Sequence, residues 1–251
     1  MNARATQASI AGEARNVKRA LARLARPAGA FDASRYFRGE VDLGFYNVGT
    51  AGVRHMARDL HRLHRRDWSI DEATRFADTL VRDRYLEVKS IGIELLARYR
   101  RDFVPRLLPA WKRWLARNDS ANWATTDAIC GLLIGPLLVM HPTKIRSVAS
   151  WSRHPNMWVR RASAVSLIPP MRRGHALDAA YGVARALHAD REDLIQKAVG
   201  WMLREAGKAD GARLDAFLRR YGKTTPRTTV RYAIERMTTA KRKAMLNATR
   251  A

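Results

Sequence analysis

A short phrase recurs at the openings of predicted helices and limits how this chain can fold. It reads Val-Arg-Arg-Ala at 159–162, Ile-Gln-Lys-Ala at 195–198 and Val-Arg-Tyr-Ala at 230–233. These openings are 36 and 35 residues apart, and Val88-Lys89 lies about two such periods earlier. A period in this range, with two helices per repeat, is typical of a helical solenoid. Chance similarity among alanine- and arginine-rich helices is the alternative, and four openings in phase argue against it.

The rest of the chain has helical spacing of its apolar residues and almost no alternating β-branched runs. The connections are short, which favours antiparallel neighbours, and the recurrent phrase is HEAT-like. We therefore predict an all-α fold, a right-handed α-solenoid of HEAT-like antiparallel helix pairs with a concave basic face. The predicted helices cover residues 5–26, 31–38, 50–66, 70–83, 86–101, 103–117, 122–140, 142–152, 157–168, 176–188, 193–207, 211–221, 225–237 and 240–248.

The predicted domain organisation is simple. Residues 1–30 form a basic N-terminal helix or extension, and residues 31–251 form a single repeat domain long enough to bury a core. The N-terminal stretch has no continuous apolar segment and is therefore no secretory signal. Its arginine-rich amphipathic pattern is also compatible with a transit peptide.

The charge balance indicates the kind of partner. Lys and Arg number 47 against 23 Asp and Glu, a net charge of +24, which favours nucleic acid first and an anionic membrane second. The longest apolar run, residues 128–140, is shorter than a membrane span. The single cysteine, Cys130, excludes an internal disulfide framework and has the apolar neighbours of a core thiol. We expect a cytoplasmic, nucleoid-associated protein without a membrane partner.

One acidic group stands out in this basic chain. Trp123 and Asp127 are four residues apart at the start of a mostly apolar helix, so both side chains lie on one face. A carboxylate on an apolar helix is costly unless paired, and an ion pair with Arg161 is the structural alternative. The functional hypothesis is that the carboxylate and the indole contact a positively charged group carried by a polyanion, namely an alkylated base in DNA.

The repeat predicts that equivalent helices line one surface. Trp123, Arg160 or Arg161, Lys197, Trp201 and Arg231 would come together on it. Lys197, Trp201 and Arg204 form a cation–indole–cation stripe on one helix, although a core position for Trp201 is the ordinary expectation. One of Arg160 and Arg161 is expected to pack or pair, and the other to bind phosphate.

The sequence contains few motifs for other kinds of chemistry. His61 and His64 are three residues apart but have no third ligand nearby, so we expect no metal site. No glycine-rich phosphate loop, cysteine cluster or GxSxG motif occurs. We expect no cofactor.

Three phrases in order resemble the AlkD-type DNA alkylation-repair glycosylases. They are NWATTD at 122–127, WVRRA at 158–162 and IQKAVGWMLRE at 195–205. The resemblance covers roughly residues 35–237 and implies HEAT-like helix pairs that hydrolyse the N-glycosidic bond of cationic alkylpurines. It also implies that the base is held against a cleft and is not extruded into a pocket.

The resemblance assigns roles by position. Asp127 resembles the catalytic carboxylate, Trp123 and Trp201 the indoles around the lesion, and Arg161 the arginine of the cleft. Tyr36 and Arg204 match further DNA-facing positions.

We therefore expect a monomeric, monofunctional DNA glycosylase that acts on N3- and N7-alkylated purines in duplex DNA. Its catalytic residues are Asp127, Trp123 and Trp201. The alternative is a non-catalytic HEAT-like protein that binds distorted or branched DNA. The predicted DNA-binding residues are Arg161, Arg160, Lys197, Arg204, Tyr36 and Arg231.

Overall fold

A computed structural model describes residues 3–29, 37 and 43–250, and these are predominantly helical. In this part of the chain there is no β-strand, only an isolated bridge between Gly44 and Tyr85. The all-α prediction is confirmed, whereas the handedness of the solenoid and its basic face stay predictions. The α-helices are α1 Ala3–Leu24, α2 Gly49–His64, α3 Ile70–Val81, α4 Leu86–Leu96, α5 Leu108–Ala116, α6 Trp123–Ala128, α7 Gly135–Met140, α8 Ile145–Ala149, α9 Met157–Val165, α10 Ile168–Met171, α11 Leu177–Ala186, α12 Asp193–Ala209, α13 Gly211–Tyr221, α14 Arg227–Ala233 and α15 Thr239–Ala248.

Polar side chains cap several helix starts, because the first N–H groups of a helix have no partner within it. Ser69 and Glu72 form a capping box at α3. Asn156 accepts hydrogen bonds at the start of α9, and Asp210 does so at α13. At α6 the cap is Asn122.

The chain divides into two compact units, Met1–Leu133 and Ile134–Ala251. In the first unit, α4 packs against α1, α2, α3 and α6. Helix α1 buries Ile10, Val17 and Leu21 and also packs against α3, so the basic N-terminal helix is part of this unit's core. The predicted domain boundary at residues 30 and 31 lies outside the described residues, as does the predicted helix 31–38 except for residue 37.

In the second unit, α9 packs against α12, and α12 packs against α14. These three helices begin with the recurrent phrase, and Val159, Ile195 and Val230 within it are fully buried. Val88, the matching residue of α4, is also fully buried. The first residue of the phrase therefore packs the start of each helix into the apolar core.

The predicted helix 122–140 is interrupted by a π-helical segment, Ile129–Ile134, between α6 and α7. Pro136 follows within one turn and has no N–H group for the carbonyl that precedes it, which disturbs α-helical bonding there. By length and composition alone Trp123–Met140 would suffice for a membrane span, but half of it is buried within the protein. A buried core helix passes the same test.

Two smaller differences follow from local backbone preferences. The predicted helix 86–101 ends its α-helical part at Leu96 and continues as a 3₁₀ segment, Ala97–Asp102. The predicted helix 157–168 ends its α-helical part at Val165, and a separate short helix, α10, starts at Ile168 with prolines in its first turn. Proline is tolerated in the first turn of a helix, so two prolines there begin a new helix.

Candidate functional site

The backbone before α6 holds Trp123 and Asp127 in place. Ala121 has a positive φ of 58°, a conformation that residues with a Cβ rarely adopt. Asn122 follows it, is fully buried, and accepts the Thr125 N–H at 2.7 Å. Trp123 then opens α6, and Asp127 lies one turn later, with both side chains half-buried.

Lys89 fixes the loop that leads to α6. Its Nζ donates hydrogen bonds to the carbonyls of Val81 and Asp119, both at 2.7 Å. Only 3% of Lys89 is exposed, and burial lowers the pKa of its ammonium group to about 8. The lysine thus joins the end of α3 to the loop that positions Asp127.

Asp127 lies on the wall of a cavity of about 660 Å³ within the first unit. One side of this cavity consists of the small residues Ala124, Ala128 and Gly131, which share a face with Asp127. Their size leaves room beside the carboxylate. A volume of this order is within the range of small-molecule sites in proteins.

Phe45, Val53 and Leu86 add apolar side chains to the lining of the cavity. Arg54 lines the cavity and pairs with Glu94, another lining residue, with Nε and Oε1 3.1 Å apart. The charges of this pair cancel within the wall.

Glu87 is a second carboxylate on this cavity, and our sequence reasoning missed it. Its Oε1 accepts hydrogen bonds from the backbone N–H groups of Tyr46, at 3.1 Å, and Asn47, at 2.7 Å. Its Oε2 is buried and has no hydrogen-bond partner among the described residues, and only 7% of the residue is exposed. The sequence signal was its place beside Val88-Lys89 in the recurrent phrase.

An aromatic row connects the cavity wall to Trp123. Phe37 stacks on Trp123 with ring centroids 5.3 Å apart and planes 14° apart. Phe37 also contacts Phe45, at 5.6 Å between centroids. One face of the Trp123 indole is therefore covered by a phenyl ring.

In the second unit, Arg160 is held by internal partners. Its Nε lies 2.7 Å from Asp190 Oδ2, and its Nη1 donates to the carbonyls of His154 and Pro155. Arg161 is buried and donates from Nη1 to the Leu194 carbonyl. Arg160 therefore has an ion-pair partner in Asp190, and a role in DNA binding stays a prediction for both arginines.

The cation–indole–cation stripe of Lys197, Trp201 and Arg204 lies on α12. Trp201 is half-buried. Lys197 pairs with Asp193 at 2.6 Å, a hydrogen bond that raises the pKa of Lys197 and keeps it cationic. Arg204 pairs with Glu235, so two of the predicted DNA-binding cations have carboxylate partners.

Arg231 lies on the neighbouring helix α14, is exposed, and has no ion pair with any described residue. The second unit therefore brings the predicted cations of α9, α12 and α14 onto adjacent helices. Tyr36 lies outside the described residues. Among those described, no cluster of three or more His, Cys, Asp or Glu residues has the arrangement of a metal site.

The helical fold, the strongly basic chain and a cavity lined by the buried Glu87 and the half-buried Asp127 define an all-helical protein suited to nucleic acid. The family model described as DNA alkylation repair enzyme matches residues 17–237, and the chain belongs to this family. Its substrate is therefore DNA, and its role is in the repair of alkylation damage.

A solved structure with a similar fold is described as a predicted DNA alkylation repair enzyme from Enterococcus faecalis. The similarity has a TM-score of 0.75 and covers 86% of this chain and 97% of that one, with 16% identical residues. At this identity the likeness concerns the fold alone. A search of curated proteins found no match.

Proposed function

We propose that this protein is a monofunctional DNA glycosylase that hydrolyses the N-glycosidic bond of cationic N3- and N7-alkylated purines in duplex DNA. The observation that carries the proposal is the position of Asp127, half-buried on the wall of a cavity in a chain of net charge +24. A carboxylate in such a basic protein is placed to meet a positive charge, while the surrounding basic residues attract the DNA backbone.

The chemistry needs one carboxylate. Alkylation at a ring nitrogen makes the purine cationic, so its bond to the sugar C1′ breaks with the electron pair going to the base. The base leaves neutral, and positive charge develops on C1′ and the ring oxygen. Asp127 would stabilise this oxocarbenium ion and accept a proton from the water that adds to C1′. General-acid catalysis is unnecessary because the leaving group is already activated, in contrast to ordinary glycoside hydrolysis.

Other residues supply binding. The indole of Trp123 would contact the cationic nucleotide, and the indole of Trp201 is proposed as a further aromatic contact to DNA. Arg161, Lys197, Arg204 and Arg231 would bind phosphates, which positions the duplex without reading its sequence. We propose that the protein acts as a monomer in the cytoplasm, associated with the nucleoid.

The test is release of free alkylated base from methylated duplex DNA by wild type and Asp127→Asn. The substitution keeps the shape and removes the charge, so we expect a rate loss of ~10²–10³-fold, as for removal of an electrostatic stabiliser elsewhere. Glu192→Gln, an exposed carboxylate change, is the control and should release base at the wild-type rate.

Equal release by Asp127→Asn and wild type would remove Asp127 from the chemistry. Absence of release from the wild type, with salt-sensitive binding retained, would favour a non-catalytic protein for distorted or branched DNA.

A further inference from the structure

We propose that the groove between α8 and α11 is a second DNA-binding surface, which takes the phosphate backbone of a DNA segment other than the one that carries the lesion. The groove has a volume of about 1340 Å³ and lies within the second unit. None of the residues proposed for catalysis or for binding the lesion duplex lies on α8 or α11. The inference goes beyond the proposed glycosylase activity and does not depend on it, because it concerns undamaged DNA.

The charge of the groove is strongly positive. Its charged lining residues are four arginines, Arg146, Arg153, Arg185 and Arg213, and one carboxylate, Asp178. Asp178 is paired with Arg213, whose Nη2 lies 2.6 Å from its Oδ1. The other three arginines are exposed and have no ion pair with any described residue. Because a guanidinium group donates two parallel hydrogen bonds to a phosphate, three such groups in one groove favour a phosphodiester chain.

The charged face of α11 points away from the helices proposed to bind the lesion. Helix α11 packs against α9 and α12 and buries Ala180 and Ala184. Asp178, Gly182 and Arg185 line the groove and lie on the opposite face of α11, since a helix has about 3.6 residues per turn. The groove is therefore placed to bind a segment of DNA separate from the duplex held by α12 and α14.

The surface of the groove suits a polynucleotide backbone better than a protein partner. On α11 the small residues Ala179, Gly182 and Ala186 recur at helical spacing and leave room for a strand. Among the described residues that line the groove none is aromatic, whereas aromatic side chains commonly anchor protein interfaces. Thr143 and Ser150 add hydroxyl groups to the lining, and hydroxyl groups are common phosphate ligands.

Two phosphate-binding surfaces on one chain would allow it to hold two DNA segments at once. Binding through phosphates is independent of base sequence, so the groove would accept undamaged DNA. The protein would then pass from one segment to another during its search for damage without first returning to solution.

The experiment counts the short undamaged duplexes that the full chain binds, by sedimentation velocity with fluorescent DNA in excess at low salt. We expect two duplexes per chain for wild type. The second binding step should weaken as salt is raised, with a slope of about −3 in log affinity against log salt, because three arginines release about 0.9 counterions each.

Two changes in the groove should remove the second duplex. Gly182→Glu places a carboxylate between the arginines, and an added Cβ at Gly182 meets no atom within 4 Å. Glutamate also forms helices more readily than glycine, so this variant should fold and bind one duplex. Gly182→Gln has nearly the same size without the charge and should keep both. Combined replacement of Arg146, Arg153 and Arg185 by Gln should also leave one duplex.

A matched control removes the same charge outside the groove. Arg219, Lys223 and Lys243 are exposed and do not line it, so their combined replacement by Gln should leave two duplexes bound.

The proposal is overturned if wild type binds one duplex, if both groove variants keep the second, or if the control loses it as well. Weaker binding of the first duplex by the groove variants would place the groove on the lesion duplex and also overturn it. A polyglutamate peptide that binds wild type but not Gly182→Glu, with a single duplex bound, would assign the groove to an acidic protein instead. Base release by wild type and Asp127→Asn is a separate measurement, so failure of the glycosylase function would be recognised independently.

Discussion

Lys89 is a charged residue whose side chain is almost fully buried. It directly follows Val88 in the recurrent helix opening of α4, and its ammonium group binds two carbonyls. The ammonium thus supports the loop before Asp127 at the cost of desolvation. The lowered pKa of this residue makes that cost measurable.

The stability of the protein should depend on pH through Lys89. Its pKa is about 8 in the folded chain against an ordinary lysine value of 10.5. Between these values the unfolded chain binds the additional proton, so the free energy of unfolding rises with pH, by about 3 kcal/mol over the full interval. Lys89→Met should lack this rise. The measurement is urea unfolding of wild type and variant at several pH values from 7.5 to 10.

The upper limit of pH 10 avoids a contribution of tyrosine ionisation to the free energy of unfolding, which has the opposite sign. Burial raises the pKa of Tyr99 and of Tyr181 to about 12, so both tyrosines destabilise the folded chain as pH rises above 10. Lys243→Met, at an exposed site, should keep the pH dependence of wild type. Parallel curves for wild type and Lys89→Met would contradict the assignment.

At the scale of elements, the close approach of α12 and α14 depends on Gly200. An added Cβ there would lie 2.7 Å from the Thr229 carbonyl oxygen and would also collide with Tyr232. Thr229 Oγ1 donates across the same contact to the Gln196 carbonyl, at 3.0 Å. This contact holds the helix that carries Arg231 against the helix that carries Trp201.

Gly200→Ala should therefore destabilise the protein by ~1–3 kcal/mol, because the added methyl group forces the two backbones apart. Gly182→Ala is the matched control, since a Cβ at Gly182 in α11 meets no atom within 4 Å. It should stabilise the protein by ~0.5–1 kcal/mol through lower chain entropy in the unfolded state. Thermal unfolding of both variants is the measurement, and a neutral Gly200→Ala would contradict the close contact.

At the scale of the whole molecule, the net charge of +24 governs binding to DNA. If 6–10 phosphates are contacted, affinity should fall by ~10³–10⁵ between 50 and 200 mM salt because bound counterions are released. The slope of log affinity against log salt then reports the number of contacts. A slope near zero would contradict a binding mode dominated by phosphates.

Two arginines of the recurrent phrase should respond differently. Arg231 is exposed and without an ion pair among the described residues, so Arg231→Gln should reduce the salt slope by about 1. Arg160 is paired with Asp190 in a mostly buried contact. Arg160→Gln should leave the slope unchanged and cost ~3–5 kcal/mol of stability, since the carboxylate loses its partner. A lower slope in Arg160→Gln would show that this arginine binds phosphate.

Much of the fold was predictable because helix formation is largely local. Apolar spacing and capping residues predicted the helices to within a few residues, and the recurrent phrase identified Val88, Val159, Ile195 and Val230, all fully buried. The π-helical segment and the 3₁₀ continuation of α4 were not predictable in this way, because they depend on backbone hydrogen bonds that several residue types permit.

The sequence by itself determined the all-helical fold, the family and the basic character, because periodicity, motif spacing and charge are properties of the chain. It also identified Trp123 and Asp127 as a pair, since a helix places residues four apart on one face. Only the tertiary structure decided that Glu87 shares a cavity with Asp127 and that Arg160 is taken up by Asp190. It also decided that Phe37 covers Trp123. The partners in these contacts are distant in the chain, and packing brings them together.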